Sequence, residues 1–250
     1  MNINKVSIIM PSYNSMKYIS ASINSVINQS YKNWELIIVD DGSSDHTLKV
    51  IQKFVKKDIR IKLFINENNS GPAISRNRAI KESKGRFIAF LDSDDVWLPD
   101  KLSLQIDFMI KNKFFFSYSY YSQINEKGNF IKNIDFLPKK VSYYSTMKSN
   151  KIGCLTAVYD IDFFGKVYME NLKKRQDYTL WLRLLKKVDF AYCVPVVLAK
   201  YRVRDNSISS GKLKLINYHW IIYRHIEKKS FFKSLYYISN YIFIKLFIHK

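Results

Sequence analysis

The chain has 250 residues and is 47% hydrophobic, which suits one α/β domain of ordinary to large size, or one domain with a small appendage. Seven Gly and five Pro are too few for long disordered linkers, and no period of about 20–50 residues marks a solenoid. The net charge of +20 calls for an anionic partner: nucleic acid, a membrane surface or an anionic small molecule.

Along the first 125 residues, short apolar runs alternate with helical patterns. Val6–Met10 reads as a buried strand, followed by a helix striped by Ile19, Ile23, Val26 and Ile27. Leu36–Val39 is a second strand ending at Asp40. Ser43, Ser44 and Asp45 offer caps for a helix striped by Leu48, Ile51, Phe54 and Val55. Ile61–Ile65 is a third strand. Pro72–Lys84 reads as a helix with Gly85 as its stop. Phe87–Leu91 is a fourth strand and runs into Asp92. Pro99 and Asp100 open a helix carrying Leu102, Ile106, Met109 and Ile110, and Phe114–Ile124 alternates like a strand. The pattern predicts an α/β fold: a mainly parallel central sheet with helices on both faces.

The second half is less regular. Residues 126–150 read as a loop with a turn at Lys127-Gly128-Asn129. Leu155–Tyr159 is a short strand, Tyr178–Lys187 a helix, and Phe190–Val203 an extended stretch interrupted by Pro195. Residues 212–250 read as one or two amphipathic helices with eight Lys or Arg against one acid, Glu227. Nucleic-acid binders set basic and polar side chains on their binding face, whereas a basic segment laced with Tyr, Phe and Ile fits an anionic membrane surface. Phe231–Ile248 carries Lys233 and Lys245, so a helix lying in the membrane interface is favoured over a spanning one. The expected macromolecular partner is the membrane surface, with no nucleic acid. Cys154 and Cys193 lack metal-ligand or C-x-x-C spacing and read as buried thiols of a reducing cytosol. The N-terminal MNINKVSIIMPSYN carries no signal-peptide pattern, so export is not expected.

Ligands of open parallel sheets bind beyond the carboxyl ends of the strands. Acids cluster at such places: Asp40 and Asp41 after the second strand, and Asp92, Asp94 and Asp95 after the fourth, with Asp177 further on at the start of a helix. Grouped carboxylates repel unless neutralised. Oxygen-only groups suit Mg²⁺ or Mn²⁺, which are commonly held by one or two carboxylates plus substrate phosphates. The alternative for each acid taken singly is a helix cap or a surface turn.

Four stretches in order, Val6–Asn14 (VSIIMPSYN), Ile38–Asp45 (IVDDGSSD), Gly71–Asn77 (GPAISRN) and Phe90–Asp95 (FLDSDD), resemble glycosyltransferase family 2, whose members are inverting enzymes on a GT-A-like, Rossmann-like nucleotide-sugar-binding fold. Lys174–Tyr178 and Tyr201-Arg202 extend the likeness to about residue 210. The resemblance implies a catalytic domain over 1–211, with a nucleotide-sugar-binding half (1–125) and an acceptor-binding half (126–211); the basic, apolar segment over 212–250, which matches nothing specific, is expected from its composition to associate with a membrane. The resemblance also implies that Pro11 and Tyr13 line the nucleobase pocket, that Asp41 with Asp40 accepts from uracil, and that Arg76 and Ser93 lie near the nucleotide. Asp92 would hold the ribose or a metal-bound water, and Asp94 would be the direct ligand of Mg²⁺ or Mn²⁺. Asp177 would be the catalytic base. Arg204 stands where many relatives carry a His, and its planar fork suits a diphosphate. The implied substrates are a nucleotide-sugar donor, favouring UDP, and a glycan or lipid-linked acceptor of bacterial lipopolysaccharide, O-antigen or capsule synthesis. The implied place is the cytoplasmic side, peripheral on the inner face of the plasma membrane. Two other readings remain at this point: a nucleotidyltransferase-like enzyme, although Pro11–Asn14 stands where a Gly-rich phosphate loop belongs, and a non-catalytic basic protein binding membrane or nucleic acid.

Overall fold

The computed structural model describes residues 4–204 and 212–244, with the side chains of 212–214 left out. Its elements run β1 (Val6–Ser12), α1 (Ile19–Ile27), β2 (Trp34–Asp40), α2 (Thr47–Val55), β3 (Ile61–Ile65), α3 (Pro72–Glu82), β4 (Phe87–Phe90), β5 (Val96–Trp97), α4 (Lys101–Asn112), β6 (Phe116–Ile124) and β7 (Phe130–Ile134). There follow β8 (Lys140–Val141), α5 (Tyr143–Lys148), a 3-10 turn (Cys154–Thr156), β9 (Val158–Asp160), α6 (Ile161–Phe164), α7 (Gln176–Leu185), β10 (Ala191–Arg202), α8 (Lys212–Ile221), a π-helical turn (Ile222–Ile226) and α9 (Phe231–Phe243).

One sheet orders its strands β3-β2-β1-β4-β9-β6-β10-β5, with β7 beside β6 and β8 beside β10. The expected parallel pairing holds for β3-β2-β1-β4 and for β6 with β10. Short antiparallel pairings make up the rest: β9 enters reversed between β4 and β6, β7 runs against β6, and β5 and β8 run against β10. Every residue of β1 and β2 is buried, which explains their nearly unbroken apolar runs.

Alternation along the strands divides the core. Ile9, Ile37, Ile88 and Phe90 pack with Ala79 and Ile80 of α3 and with Leu180, Trp181 and Leu184 of α7. Ile8, Met10, Leu36, Ile38 and Ala89 pack on the other face with Ile23 of α1, Ile51 of α2, and Leu102 and Ile106 of α4. A third cluster joins Met147, Tyr178 and Leu182 to Ile222, Tyr223, Tyr237 and Ile238, so the C-terminal helices dock on α5 and α7.

Several local expectations change. The α2 cap is His46, without a side-chain bond, while Asp45 one residue earlier accepts from Thr47 N at 2.8 Å. Helix α3 ends at Glu82, and Gly85 does not stop it. A Cβ on Gly85 would lie 2.6 Å from the Lys5 carbonyl oxygen, so glycine there permits close approach to the start of β1. Residues 126–150 hold two strands and α5 rather than a bare loop. β10 shifts register between Val194 and Val197, around Pro195, whose ring cannot donate to the ladder. The tail forms α8 and α9, while residues 205–211 and 245–250 lie outside the described residues.

Candidate active site

The site lies at the carboxyl ends of β1, β2 and β4. Ser12 is in register with Asp40, and Leu91 N donates to the Ile9 carbonyl at 3.1 Å, so the loops leaving these strands emerge side by side. The loop after β1 turns at Asn14, a non-glycine residue at φ 46°. The Asn14 amide oxygen accepts from Ser44 N at 2.9 Å, and its own N–H donates to Ser43 Oγ at 2.9 Å. Ser15 Oγ and Ser93 Oγ are 2.7 Å apart, which ties this loop to the one after β4. Ser93 thus joins two loops through its side chain. Pro11 is buried in β1 in register with Val39, and the Tyr13 ring is 47% exposed.

Asp40 and Asp41 organise loops. Asp40 accepts from Ser43 N at 2.9 Å and Ser43 Oγ at 2.7 Å. Asp41 accepts from Asn66 Nδ2 at 2.7 Å, Ser70 N at 3.2 Å and Gly71 N at 2.7 Å. A carboxylate offers about four acceptor positions, so roughly one on Asp41 is left open. Holding Gly71, at φ 91°, fixes the start of α3 and directs Arg76 toward the loop after β4.

Arg76 is 5% exposed and its Nη2 donates to Asp92 at 2.5 Å. Among the described residues, its buried Nε and Nη1 have no hydrogen-bond partner. Burial works to lower its pKa, but the charge and hydrogen bond of Asp92, with the charge of Asp177 behind them, outweigh it and raise the pKa above the usual arginine range. The charge of Asp177, in the first turn of α7, thus acts on the guanidinium that Asp92 holds directly. The cap position belongs to Arg175, at φ 66°, so Asp177 is not the N-cap. Its charge is still favoured by the helix N-terminus.

Asp94 pairs with Arg204 at 2.8 Å. Burial raises the Asp94 pKa, the neighbouring Asp92 adds to the effect, and Arg204 opposes it. Asp95 is buried and accepts from Arg202 N at 2.7 Å; burial, then the charges of Asp94 and Asp92, push its pKa well up. Carboxylates crowded in this way favour a cation. Among the described residues no group of three or more His, Cys, Asp or Glu could hold a metal ion. The Asp92 and Asp94 oxygens fit a hard divalent ion only if phosphate oxygens complete its shell and Arg204 releases Asp94.

Two residues here carried no role in the sequence reading. Arg202 donates through Nε to the Asp94 carbonyl at 2.7 Å and through Nη1 to the Asn125 carbonyl at 3.1 Å, clamping the acidic loop to the end of β6. The Tyr201-Arg202 match was the only signal for it. Cys154, read as a buried thiol, is half-buried, whereas Cys193 is buried; desolvation of the Cys154 thiol, with the charges of Asp92 and Asp177 set against that of Arg76, raises its pKa and keeps it protonated. A depression of about 240 Å³ is lined by Arg86, Phe87, Phe114 and Asp160 at the opposite, amino end of β4. Asp160 there is bound by Arg86 at 2.7 Å, and the same guanidinium pairs with Asp162 at 3.3 Å.

Comparison with known proteins agrees with this geometry. Residues 7–170 match the family model described as glycosyl transferase family 2. The chain is 42% identical over 236 residues to the putative teichuronic acid biosynthesis glycosyltransferase TuaG of Bacillus subtilis, covering 94% of each protein. It is 43% identical over 245 residues to the UDP-Glc:alpha-D-GlcNAc-diphosphoundecaprenol beta-1,3-glucosyltransferase WfgD of Escherichia coli, covering 98% of this chain and 94% of that one. The fold superposes on S. aureus TarS 1–349 in complex with UDP-GlcNAc with a TM-score of 0.77 at 21% identity, covering 97% of this chain and 73% of TarS. These matches, with the carboxylates at the sheet's carboxyl edge, place the chain in glycosyl transferase family 2, and it is a glycosyltransferase.

Proposed function

We propose that the chain is an inverting transferase that moves a sugar from a UDP-sugar to a lipid-linked glycan during synthesis of a bacterial surface polysaccharide such as lipopolysaccharide, O-antigen or capsule. The observation that carries this reading is that Asp92 binds the buried guanidinium of Arg76 directly while Asp177, from a distant part of the chain, acts on the same guanidinium through its charge. In this reading the half over residues 1–125 binds the nucleotide sugar and the half over 126–211 binds the acceptor.

The Tyr13 ring stacks on the uracil, and Asp41, with Asp40 beside it, accepts from the base N–H. Arg76, with its Nε and Nη1 nitrogens unpartnered, and Arg204, with Nε buried and unpartnered, both among the described residues, supply donors for the diphosphate. Asp177 accepts the proton of the acceptor hydroxyl. The hydroxyl oxygen bonds to the anomeric carbon as the carbon–oxygen bond to the diphosphate breaks on the opposite face, and the departing UDP carries the electron pair. A free Asp is a weak base toward an alcohol, but the hydroxyl acidifies as its new bond forms. Mg²⁺ or Mn²⁺, when bound, would neutralise the departing diphosphate, held by Asp94 with Asp92 beside it.

The acceptor class draws support from WfgD, whose name specifies a diphosphoundecaprenol-linked acceptor and UDP-Glc. A lipid carrier places the reaction at the cytoplasmic face of the plasma membrane. The charge of +20, and the basic, apolar stretch over residues 212–250, support association with an anionic surface there. Among the described residues no helix is long and apolar enough to cross a membrane. The test is turnover of a panel of nucleotide sugars with GlcNAc-diphospholipid as acceptor, with and without Mn²⁺. Transfer from a UDP-sugar with inverted linkage supports the proposal; retention of configuration, or transfer of the nucleotide itself, overturns it.

A further inference from the structure

Helix α9 is apolar on two sides. Ser234, Tyr237, Ile238 and Tyr241 are buried and form the stripe that meets the third core cluster. On the opposite side Phe232, Leu235, Tyr236 and Phe243 recur at helical spacing, joined at the edge by Phe231, and all of them are exposed. Phe232 is 80% exposed. A helix packed on the protein along one face ordinarily turns polar side chains outward on the other. Here the outward face carries mainly aromatic rings, with Ser239 among them.

The rim of this face is cationic. Lys228 and Lys233 are exposed, Lys148 lies 5.9 Å from the Tyr236 ring centre, and Tyr144 of α5 adds another ring that is 69% exposed. The lone acid of residues 212–250, Glu227, is turned inward. It is buried, bound by Tyr143 Oη and paired with Lys186 at 2.7 Å. No negative charge from this segment therefore opposes an anionic surface. Phe and Leu with Lys at the margin, and Tyr rings presenting an apolar body and a polar tip, form the composition that seats a helix in the headgroup boundary of a bilayer.

The opposite face of α9 is joined to the proposed base. Tyr241 Oη accepts from Arg175 Nη2 at 3.2 Å, two residues before Asp177. Tyr237 of α9 packs with its ring centre 5.5 Å from that of Tyr223 in the π-helical turn, and Tyr223 Oη lies 3.3 Å from Oη of Tyr178, the residue after Asp177, and donates to the Met147 carbonyl at 2.8 Å. A surface seated on the outward face of α9 would thus be linked through packed side chains to the start of α7.

Resting on the proposed lipid-linked acceptor, we infer that the outward face of α9, formed by Phe231, Phe232, Leu235, Tyr236 and Phe243 with Lys228 and Lys233 at its edge, is the contact of this enzyme with an anionic lipid bilayer, and that it carries the acceptor side of the site to the membrane. Removing α9 is a poor test, because Tyr237, Ile238 and Tyr241 belong to the core. Surface substitutions keep that stripe. The full chain is sedimented with phosphatidylcholine vesicles, with or without phosphatidylglycerol, in the absence of any sugar. The wild type should bind the anionic vesicles preferentially. Phe232→Ser with Leu235→Ser and Tyr236→Ser should weaken that binding at least about tenfold while UDP-induced thermal stabilisation stays unchanged. Lys228→Glu with Lys233→Glu should remove the preference for phosphatidylglycerol.

Binding of the triple variant within about twofold of wild type would overturn the inference. So would a wild type that ignores both vesicles, or a dimer in light scattering that the triple variant dissolves, since the face would then cover a second copy. Vesicle binding as expected with no sugar transfer to any acceptor would leave this surface standing and remove the acceptor reading instead.

Discussion

The two ends of the parallel strands treat buried carboxylates differently. At the amino end, Glu35 of β2 is fully buried and receives four donors: Ser7 Oγ at 2.7 Å, Lys84 N at 2.7 Å, Lys62 Nζ at 2.6 Å and Lys5 Nζ at 3.2 Å. Burial works to raise its pKa, yet Lys62, Ser7, Lys84 and Lys5 together bring it down to about 2. At the carboxyl end, burial and mutual repulsion raise Asp94 and Asp95 instead. Arg76, beside Asp92, keeps donors unused among the described residues. A carboxylate with a full set of donors holds a fold together. Carboxylates left crowded beside a partly unsatisfied guanidinium mark a place suited to binding a ligand.

Substitutions at each end should separate these roles. The largest effect is expected from Asp177→Asn, which keeps the shape and removes the base: kcat should fall about 10³-fold with UDP-sugar affinity nearly unchanged, measured by steady-state turnover and calorimetry. Retained turnover would remove Asp177 from the chemistry. Arg76→Gln comes next. It leaves Asp92 without its cation, so donor affinity should drop at least about tenfold. Stability should fall by about 1–3 kcal/mol, less than for a fully buried pair because Asp92 is partly exposed.

Glu35→Gln should reverse that balance. Unfolding in urea should show a loss of about 2–3 kcal/mol, while kcat per folded molecule stays constant. The sign follows from the depressed pKa. Ionised Glu35 stabilises the fold fully above the ordinary glutamate range, near 4.5, and that stabilisation is lost as pH falls toward about 2. The wild type should therefore lose stability across this window more steeply than Glu35→Gln. The smallest effect is expected for Asp95→Asn. Its amide oxygen can still accept from Arg202 N, and the lost charge relieves repulsion, so stability should hold within about 0.5 kcal/mol or rise.

The first half was legible because β1, β2 and β4 are buried on both faces and their helices carry clean apolar stripes. The acids at their ends were visible for the same reason: each follows directly on an apolar run. The second half hid its elements for identifiable causes. β7 is exposed along most of its length, so Phe130–Ile134 shows no alternation. α5 starts with a reciprocal cap between Ser142 and Ser145, where a sequence scan looks for Glu or Gln at the third position. The roles of Cys154 and Arg202 depend on chain reversal at β9 and on the long crossover to β10, which no local spacing encodes. The outward apolar face of α9 was visible only as general hydrophobicity, since its buried stripe is equally apolar.

The most direct measurement of the central claim is calorimetric titration of UDP into wild type and Asp94→Ala, each with and without Mn²⁺. If the acids beyond β4 hold a cation against the diphosphate, Mn²⁺ should tighten UDP binding to the wild type by at least about tenfold and leave Asp94→Ala unaffected. Equal tightening in both proteins, or none in either, would contradict the account.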